Sequence, residues 1–268
     1  MFRTALQVAR KKGDARMTAE GEVGRRFGSR VLVICLAVFL VGGASWWCYN
    51  RWFSERANPS VEDYPLRGID ISAHNGEVDF NLLKNAGVDF AYIKATEGAD
   101  FRDRRFIQNA VGLRRVGIPA GAYHFFRFDR DGEMQGWNFI NALKGRDFLL
   151  PPAVDVEEWG NASGVSAARI RTELNRMLDL LTREGYSPVV YSNKKGYHRY
   201  LRSHFSDYPL WICSFTDPPL GSDTTWAIWQ FSHRGELPGI DGPVDVNTIR
   251  PSHPLAALIG EADAVRGY

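Results

Sequence analysis

A short apolar run, Pro151-Pro152-Ala153-Val154-Asp155-Val156-Glu157, ends in two acids one residue apart. Side chains in a strand alternate between its two faces, so Asp155 and Glu157 point to the same side, with Cα atoms roughly 6.5–7 Å apart. Two carboxyls held that close do not both ionise freely, and we expect the pair to retain a proton near neutral pH. Glycoside hydrolysis needs such a protonated and charged pair. The alternative is a structural role, in which the acids cap a neighbouring helix or pair with arginine.

On either side of this run, short apolar segments alternate with helical patterns from Leu66 onward, which is typical of an α/β fold with a parallel sheet. Eight segments have the length and composition of strands: Arg67–Ser72, Phe90–Ala95, Ala120–Phe125, Ala153–Glu157, Pro188–Ser192, Leu210–Ser214, Ala227–Phe231 and Val244–Val246. Helical periodicity fills the first five gaps, at about 78–86, 103–116, 131–144, 166–184 and 193–204. The pattern predicts one barrel that begins like a TIM barrel and closes with plainer connections.

The ends of the predicted strands carry polar and aromatic residues. Active sites of such barrels lie at the carboxyl ends of the strands. Four acids there are expected to converge on one rim: Asp70, Asp155, Glu157 and Asp245. Three aromatic residues are candidate platforms for sugar rings, although each taken singly is also a candidate for core packing: Tyr123, Tyr191 and Trp229. The convergence favours a carbohydrate-type active site.

Several of these segments resemble the glycoside hydrolase family 25 lysozymes. The matching motifs occur in the family's order between about residues 66 and 250: Gly68-Ile69-Asp70-Ile71-Ser72, Phe90-Ala91-Tyr92-Ile93-Lys94-Ala95-Thr96-Glu97-Gly98, Gly121-Ala122-Tyr123-His124-Phe125, Asp155-Val156-Glu157, Trp229-Gln230-Phe231 and Val244-Asp245-Val246-Asn247. The resemblance implies a (β/α)5(β)3 TIM-like barrel over residues 66–268. It also implies hydrolysis of the β-1,4 bond between N-acetylmuramic acid and N-acetylglucosamine in peptidoglycan.

The resemblance also implies roles for individual residues. Glu157 matches the family's catalytic acid, and Asp155, Asp70 and Asp245 match its other three acidic positions. Three mechanisms stay open for Asp155: nucleophile, general base, or a group that orients the substrate's own acetamide. The chain departs from the family at Ala73-His74-Asn75-Gly76, where many members have a His-Trp-Gln-Gly type segment, and this departure affects sugar contacts beside Asp70.

Three further residues are candidates for substrate binding: Lys94, Glu97 and Gln230. For Lys94 and Glu97 the alternative is an ion pair inside the barrel. The six histidines show no ligand spacing and no His-Glu-x-x-His motif, so we predict no metal and no cofactor. His124 is interpreted as a core histidine, and Cys213, the one cysteine of the predicted domain, as a small buried strand residue.

The N-terminal part of the chain differs in charge from the rest. Residues 1–30 hold eight Lys and Arg against three acids, a balance of +5, so the other 238 residues sum to −3. The basic charge therefore belongs to the tail, and we expect no nucleic-acid binding by the main domain.

An uncharged run, Val31–Trp47, follows this tail and ends in a cluster of aromatic residues. We interpret residues 31–49 as a transmembrane anchor with residues 1–30 in the cytoplasm, followed by a tether over residues 50–65. The alternative is a cleaved signal peptide. The catalytic domain is then expected to be monomeric and to lie outside the membrane, on the periplasmic side of a bacterial inner membrane.

Two other functions compete with a muramidase. The first is another N-acetylhexosamine glycosidase, such as a chitinase, although the Asp-x-x-Asp-x-Asp-x-Glu signature is absent because Leu149-Leu150-Pro151-Pro152-Ala153 precedes Asp155. The second is a non-catalytic peptidoglycan-binding module on the same fold. The intact set of acids favours catalysis over binding alone.

Overall fold

The computed structural model describes residues 36–47, 49, 57–216, 219–220 and 225–259. The chain divides into two compact units, Met1–Ser54 and Glu55–Tyr268. In the first unit, residues 36–47 are helical and expose large apolar side chains such as Leu36, Phe39 and Leu40. The predicted tail, residues 31–35 and 48 of the predicted anchor, and residues 50–56 of the predicted tether lie outside the described residues.

Among the helices that the structure describes, none combines the length and the apolar character needed to cross a bilayer.

The second unit is built on a barrel. Within its described residues there are nine strands: β1 (Arg67–Ile71), β2 (Phe90–Glu97), β3 (Phe101–Arg102), β4 (Ala120–Phe125), β5 (Ala153–Asp155), β6 (Val189–Asn193), β7 (Leu210–Cys213), β8 (Ile228–Gly235) and β9 (Val244–Ile249). Eight of them close in the order β1-β2-β4-β5-β6-β7-β8-β9, with β9 pairing back onto β1. The short strand β3 forms an antiparallel pair with β2 outside this ring.

Helices occupy the first five connections of the barrel, as predicted: α1 (Phe80–Asn85), α2 (Phe106–Val116), α3 (Gly132–Leu143), α4 (Ala167–Arg183) and α5 (Lys194–Gly196), which continues as a π-helical turn (Tyr197–Leu201). Helix α1 begins where the Asp79 side chain accepts the backbone N–H groups of Asn81 and Leu82. Helix α2 ends at Gly117, whose φ of 72° is the left-handed conformation that glycine adopts without strain. A further helical stretch covers residues 254–259.

The final strand runs against the expected direction. Strand β9 is antiparallel to both β8 and β1, while the other neighbours in the ring are parallel. The connection between β8 and β9 contains no helix, and antiparallel strands need only a short connection, whereas parallel strands need a long crossover. The barrel therefore carries the start of β9, not its end, at the carboxyl ends of the other strands.

Apolar packing is divided between two layers. The larger layer lies between the strands and the surrounding helices and includes Ile69, Ile93 and Leu174. The smaller fills the barrel interior, where Gly68 allows close contact, since a Cβ there would come 2.2 Å from Phe90 Cζ. We call its lower part the floor, made by residues at the amino ends of β2, β6 and β8, the end of β9 and the C-terminal helical stretch: Phe90, Val189, Ile228, Ile249, Leu255 and Ile259.

Residues 57–65, the described end of the predicted tether, lie against the barrel. The Ala57 N–H donates to the Phe215 carbonyl at 3.0 Å, and the ring of Tyr64 packs edge-on to Trp229 with centroids 5.7 Å apart. Arg67 donates to the Pro59 carbonyl at 3.1 Å. The chain is therefore fixed to the barrel before β1 begins.

Candidate active site

A cavity of about 800 Å³ opens at the carboxyl ends of the parallel strands. We call this opening the mouth of the barrel. Nine of the ten site residues predicted from the sequence line it: Asp70, Lys94, Glu97, Tyr123, Asp155, Glu157, Tyr191, Gln230 and Asp245. The structure thus brings the four acids together, as the strand-end argument expected.

Asp245 lines the mouth as predicted, but the predicted strand direction that placed it there was wrong. It was expected at the end of a parallel strand, but β9 is antiparallel and Asp245 is near its beginning. The register pairs Asp245 with Asp70 across β1 and β9. Asp245 is therefore close enough to Asp70 to influence its pKa through a side-chain hydrogen bond.

Asp70 is held by two side-chain amides inside the barrel. Its Oδ2 accepts from Asn247 Nδ2 at 2.8 Å and from Gln230 Nε2 at 2.9 Å. Burial raises the pKa of Asp70, and the hydrogen bonds from Asn247, Gln230 and Asp245 oppose that rise because they favour the charged form.

Two further hydrogen bonds fix the orientation of these amides. Tyr191 donates its hydroxyl to Gln230 Oε1 at 2.9 Å, and Trp211 donates Nε1–H to Asn247 Oδ1 at 2.9 Å. Because each amide oxygen accepts from an aromatic residue, each NH₂ group is left to face Asp70. The network therefore presents two donors to this carboxylate and sets its position.

Asp155 ends β5 and is 8% exposed. Its Oδ1 is buried and has no hydrogen-bond partner among the described residues. Burial raises the pKa of Asp155 well above its usual range, the charge of Glu157 raises it further, and Lys94 opposes the rise. An oxygen left without a donor inside a cavity is an acceptor available to a bound molecule.

Glu157 lies two residues beyond Asp155, past the end of β5, and is half-buried. Burial raises the pKa of Glu157 to about 7, and the charge of Asp70 adds to this rise, while Lys94 and a hydrogen bond from Asn193 lower it. Asn193 Oδ1 accepts the Gly196 N–H at 2.9 Å, so its NH₂ group is the part that donates to Glu157. The carboxyl is therefore partly protonated at neutral pH.

Lys94 and Glu97 form the ion pair that was considered for them, and both also line the mouth. Lys94 Nζ lies 2.8 Å from Glu97 Oε2 and 5.0 Å from the ring centre of Phe125. Glu97 Oε1 also lies 3.4 Å from Arg127 Nη1. The Lys94 side chain is only 12% exposed, so its charge acts on the acids with little screening.

Trp229 does not line the mouth, which corrects its assignment as a sugar platform. It is fully buried, donates Nε1–H to the Ser214 carbonyl at 2.7 Å, and packs against Trp226 and Phe231. Neighbouring residues of β8 face opposite sides, so Gln230 points into the barrel and Trp229 points outward.

The mouth also contains residues that the sequence analysis did not assign to the site. They include aromatic, polar and sulfur-containing side chains: His74, Phe125, Trp159, Asn193, Trp211, Cys213, Phe215 and His233. Trp211 could have been found from strand alternation, because it lies two residues before Cys213, the last residue of β7, and therefore points to the same side of the strand. Cys213 was expected to be buried and is half-buried; burial raises the pKa of its thiol to about 12, which makes it a poor nucleophile.

His124 is a core residue, as interpreted from the sequence. Its Nδ1 lies 2.7 Å from Thr96 Oγ1 and its Nε2 lies 3.3 Å from Gln135 Oε1. Gln135 Oε1 also accepts the Arg127 N–H, so the His124 proton is on Nε2. Burial lowers the pKa of His124 to about 3, and the ring stays neutral.

Comparison with known proteins gives consistent matches. The family model "Glycosyl hydrolases family 25" matches residues 69–240. Lysozyme M1 of Streptomyces globisporus is 32% identical over 74% of this chain and 72% of its own length, and the autolytic lysozyme of Clostridium acetobutylicum is 32% identical over 68% of this chain and 55% of its own. The structure of a family 25 glycosyl hydrolase from Bacillus anthracis superposes with a TM-score of 0.67 and 30% identity, covering 73% of this chain and 92% of that one.

Proposed function

This chain belongs to glycosyl hydrolases family 25 and is a glycoside hydrolase of the lysozyme type, and we propose that it is a membrane-anchored N-acetylmuramidase with Glu157 as its acid. The bond cleaved is the β-1,4 linkage between N-acetylmuramic acid and N-acetylglucosamine in peptidoglycan. One observation carries the assignment of roles: Glu157 and Asp155 face one cavity with pKa values that burial raises in both.

Glu157 supplies the proton for bond cleavage. A carboxyl with a pKa of about 7 is protonated in a useful fraction of molecules near neutral pH. It donates that proton to the glycosidic oxygen as the bond between this oxygen and the anomeric carbon breaks. The resulting carboxylate then takes a proton from the water that completes hydrolysis.

Asp155 is assigned to the substrate's acetamide. Its unpartnered Oδ1 is placed to accept the N–H of an N-acetyl group, and a hydrogen bond to the charged carboxylate lowers its pKa. The proton that the pair holds then moves to Glu157, where the acid is needed. The acetamide carbonyl oxygen attacks the anomeric carbon, and the ionised Asp155 stabilises the positive charge of the cyclic intermediate.

This assignment of Asp155 is tested against the nucleophile and base alternatives. A thiazoline mimic of the cyclic intermediate should inhibit the enzyme competitively, and product should form with retained anomeric configuration. A covalent glycosyl adduct on Asp155, trapped with a fluorosugar and detected by mass spectrometry, would assign it as the nucleophile. Inverted configuration would assign it as the base.

The reaction itself is tested on purified peptidoglycan with the full chain. After digestion, the new reducing ends are reduced and identified by mass analysis. Muramic-acid ends support the proposal, glucosamine ends indicate another hexosaminidase, and binding without product indicates a non-catalytic module. Glu157→Gln should abolish turnover while binding is kept, and Glu133→Gln, an exposed acid on α3, serves as the control with full activity.

Membrane anchoring is the second part of the proposal. Support comes from the uncharged run Val31–Trp47, from the eight basic residues that precede it, and from the exposed apolar side chains of residues 36–47. The basic flank is expected in the cytoplasm, with the catalytic unit on the periplasmic side of an inner membrane.

Anchoring is tested by fractionating cells and extracting the membranes at alkaline pH. The full chain should stay in the membrane fraction at full length, with its catalytic unit digested by protease only after the outer permeability barrier is opened. Release by alkali, or a chain shortened near residue 44, would refute a retained anchor. A Leu40→Arg variant should weaken retention, and Leu82→Arg, an exposed position on α1, is the matched control.

A further inference from the structure

Trp159 is the most exposed large apolar side chain of the catalytic unit at 81%, among the residues that the structure describes. It lies in the loop between β5 and α4, two residues after Glu157, and it lines the mouth beside Gly160. An apolar side chain of this size that stays exposed to water does not contribute the stabilisation that its burial would give. Its position at the edge of the cavity calls for an explanation in terms of what the cavity binds.

The loop that carries Trp159 is fixed from the inside by Asn161. The side-chain oxygen of Asn161 accepts the Phe128 N–H at 2.8 Å, and its NH₂ group donates to the carbonyls of Glu157 and Phe126 at 2.8 and 2.9 Å. One side chain therefore joins this loop to the chain that follows β4.

Further contacts hold the loop on either side of the indole. Arg127 Nη1 donates to the Gly160 carbonyl at 2.7 Å. Glu158 accepts from Arg199 Nη1 at 2.6 Å and from the Tyr200 hydroxyl at 2.8 Å, and it also pairs with Lys195. The residues before and after Trp159 are thus both tied to neighbouring elements, and the backbone that presents the indole is pre-organised.

We infer that Trp159 is a fixed platform for one pyranose ring of the glycan strand, at an outer subsite beyond the two sugars that flank the cleaved bond. The inference rests on the proposed function, because it takes a polymeric sugar as the ligand. The apolar C–H face of a pyranose packs on an aromatic ring, and a pre-organised indole gains that contact with little loss of conformational freedom.

The position of Trp159 separates this role from a general surface contact. Trp137 on α3 is also partly exposed, but it is absent from the mouth and packs near Lys144. Trp159, in contrast, lines the same cavity as the acid but at its solvent edge, since the indole is 81% exposed and Glu157 is half-buried. Binding energy gained at such a remote sugar is available to the transition state, so it favours long strands over short fragments.

The test compares Trp159→Ala, Trp159→Phe and the control Trp137→Ala in the full chain. Two substrates are used: polymeric glycan strands freed of stem peptides, and the shortest such fragment that the wild type cleaves. Trp159→Ala should lower kcat/KM about fivefold on the polymer, mainly through KM, and less than twofold on the short fragment. Trp159→Phe should recover most of the loss, and Trp137→Ala should change neither value.

Two results would overturn the platform. The first is an unchanged kcat/KM of Trp159→Ala on the polymer. The second is an equal loss on both substrates, which indicates damage to the acid pair and should appear as a moved alkaline limb in the pH profile. Failure of the proposed function is a separate outcome, because then the wild type itself yields no muramic-acid ends.

Discussion

The mouth and the floor of the barrel are built from the same strands and differ in what burial does. On β2, Phe90 lies in the floor and Lys94 in the mouth; on β5, Ala153 lies in the interior and Asp155 in the mouth. In the floor, removing side chains from water stabilises the fold. In the mouth, the same removal raises carboxyl pKa values, with Asp155 and Glu157 affected most clearly. One end of the barrel therefore stabilises the fold, whereas burial of the acids at the other end lowers stability and shifts their pKa values for catalysis.

The largest expected effect concerns activity at the mouth. Asp155→Asn should lower kcat by about 10³-fold, because an amide carries no charge to stabilise the reacting sugar. Activity is measured as the release of reducing ends from peptidoglycan. Asp147→Asn, an exposed acid near the opposite end of the barrel, should retain wild-type activity. Activity above a tenth of wild type in Asp155→Asn would remove Asp155 from the mechanism.

The next effect concerns stability at the floor. Phe90→Ala should lower the free energy of unfolding by about 3–5 kcal/mol, because it leaves a cavity in a fully buried layer. Urea denaturation measures the change. The folded fraction should keep the wild-type pH profile of kcat/KM, since Phe90 is at the amino end of β2 and does not line the mouth. A moved profile would show that the two ends are not independent.

A smaller change in the free energy of unfolding, an increase instead of a decrease, is expected for a substitution at the mouth. The pKa of Glu157 is about 7 in the folded chain against an ordinary value of about 4.3, so its contribution to stability is lost as pH rises from about 4.3 through 7. Glu157→Gln should therefore be more stable than wild type by about 1 kcal/mol at pH 8, allowing for partial exposure, and equal to it below pH 4. A Glu157→Gln variant that is less stable than wild type at pH 8 would contradict the idea that the charged Glu157 destabilises the folded chain.

The smallest effect is a displacement of the alkaline limb. The charge of Lys94 lowers the pKa of Glu157, and activity is lost as Glu157 deprotonates. Lys94→Met should therefore move the loss of kcat/KM to higher pH, while Lys144→Met, on an exposed lysine, should leave it in place. A limb that moves to lower pH in Lys94→Met would mean that another group controls it.

Much of this architecture follows from local patterns in the sequence. Short apolar runs identified eight strands, helical periodicity identified five helices, and the strand ends identified nine residues of the mouth. Asp245 was placed correctly for the wrong reason, since the direction of β9 depends on a short connection and on pairing with β1. The prediction of Trp229 as a sugar platform was wrong, because it lies one residue before Gln230 and neighbouring residues of β8 face opposite sides of the sheet.

Other features have no periodic signal. Trp159 lies in a loop, and its fixed position depends on Asn161, Glu158 and Arg127, whose partners are distant in sequence. The amides of Asn247 and Gln230 meet on Asp70 only because the barrel closes β9 onto β1. Contacts that closure creates between distant segments depend on the three-dimensional structure, which local sequence patterns do not specify.

The proposed mechanism depends on burial, which gives Glu157 a proton to donate near neutral pH. The most direct test is an NMR titration of the full chain with isotope-labelled glutamate side chains, with Glu157 assigned by its absence in Glu157→Gln. We expect the Glu157 carboxyl to titrate with a pKa of about 7. A Glu157 carboxyl that titrates near the ordinary value of about 4.3 would contradict it.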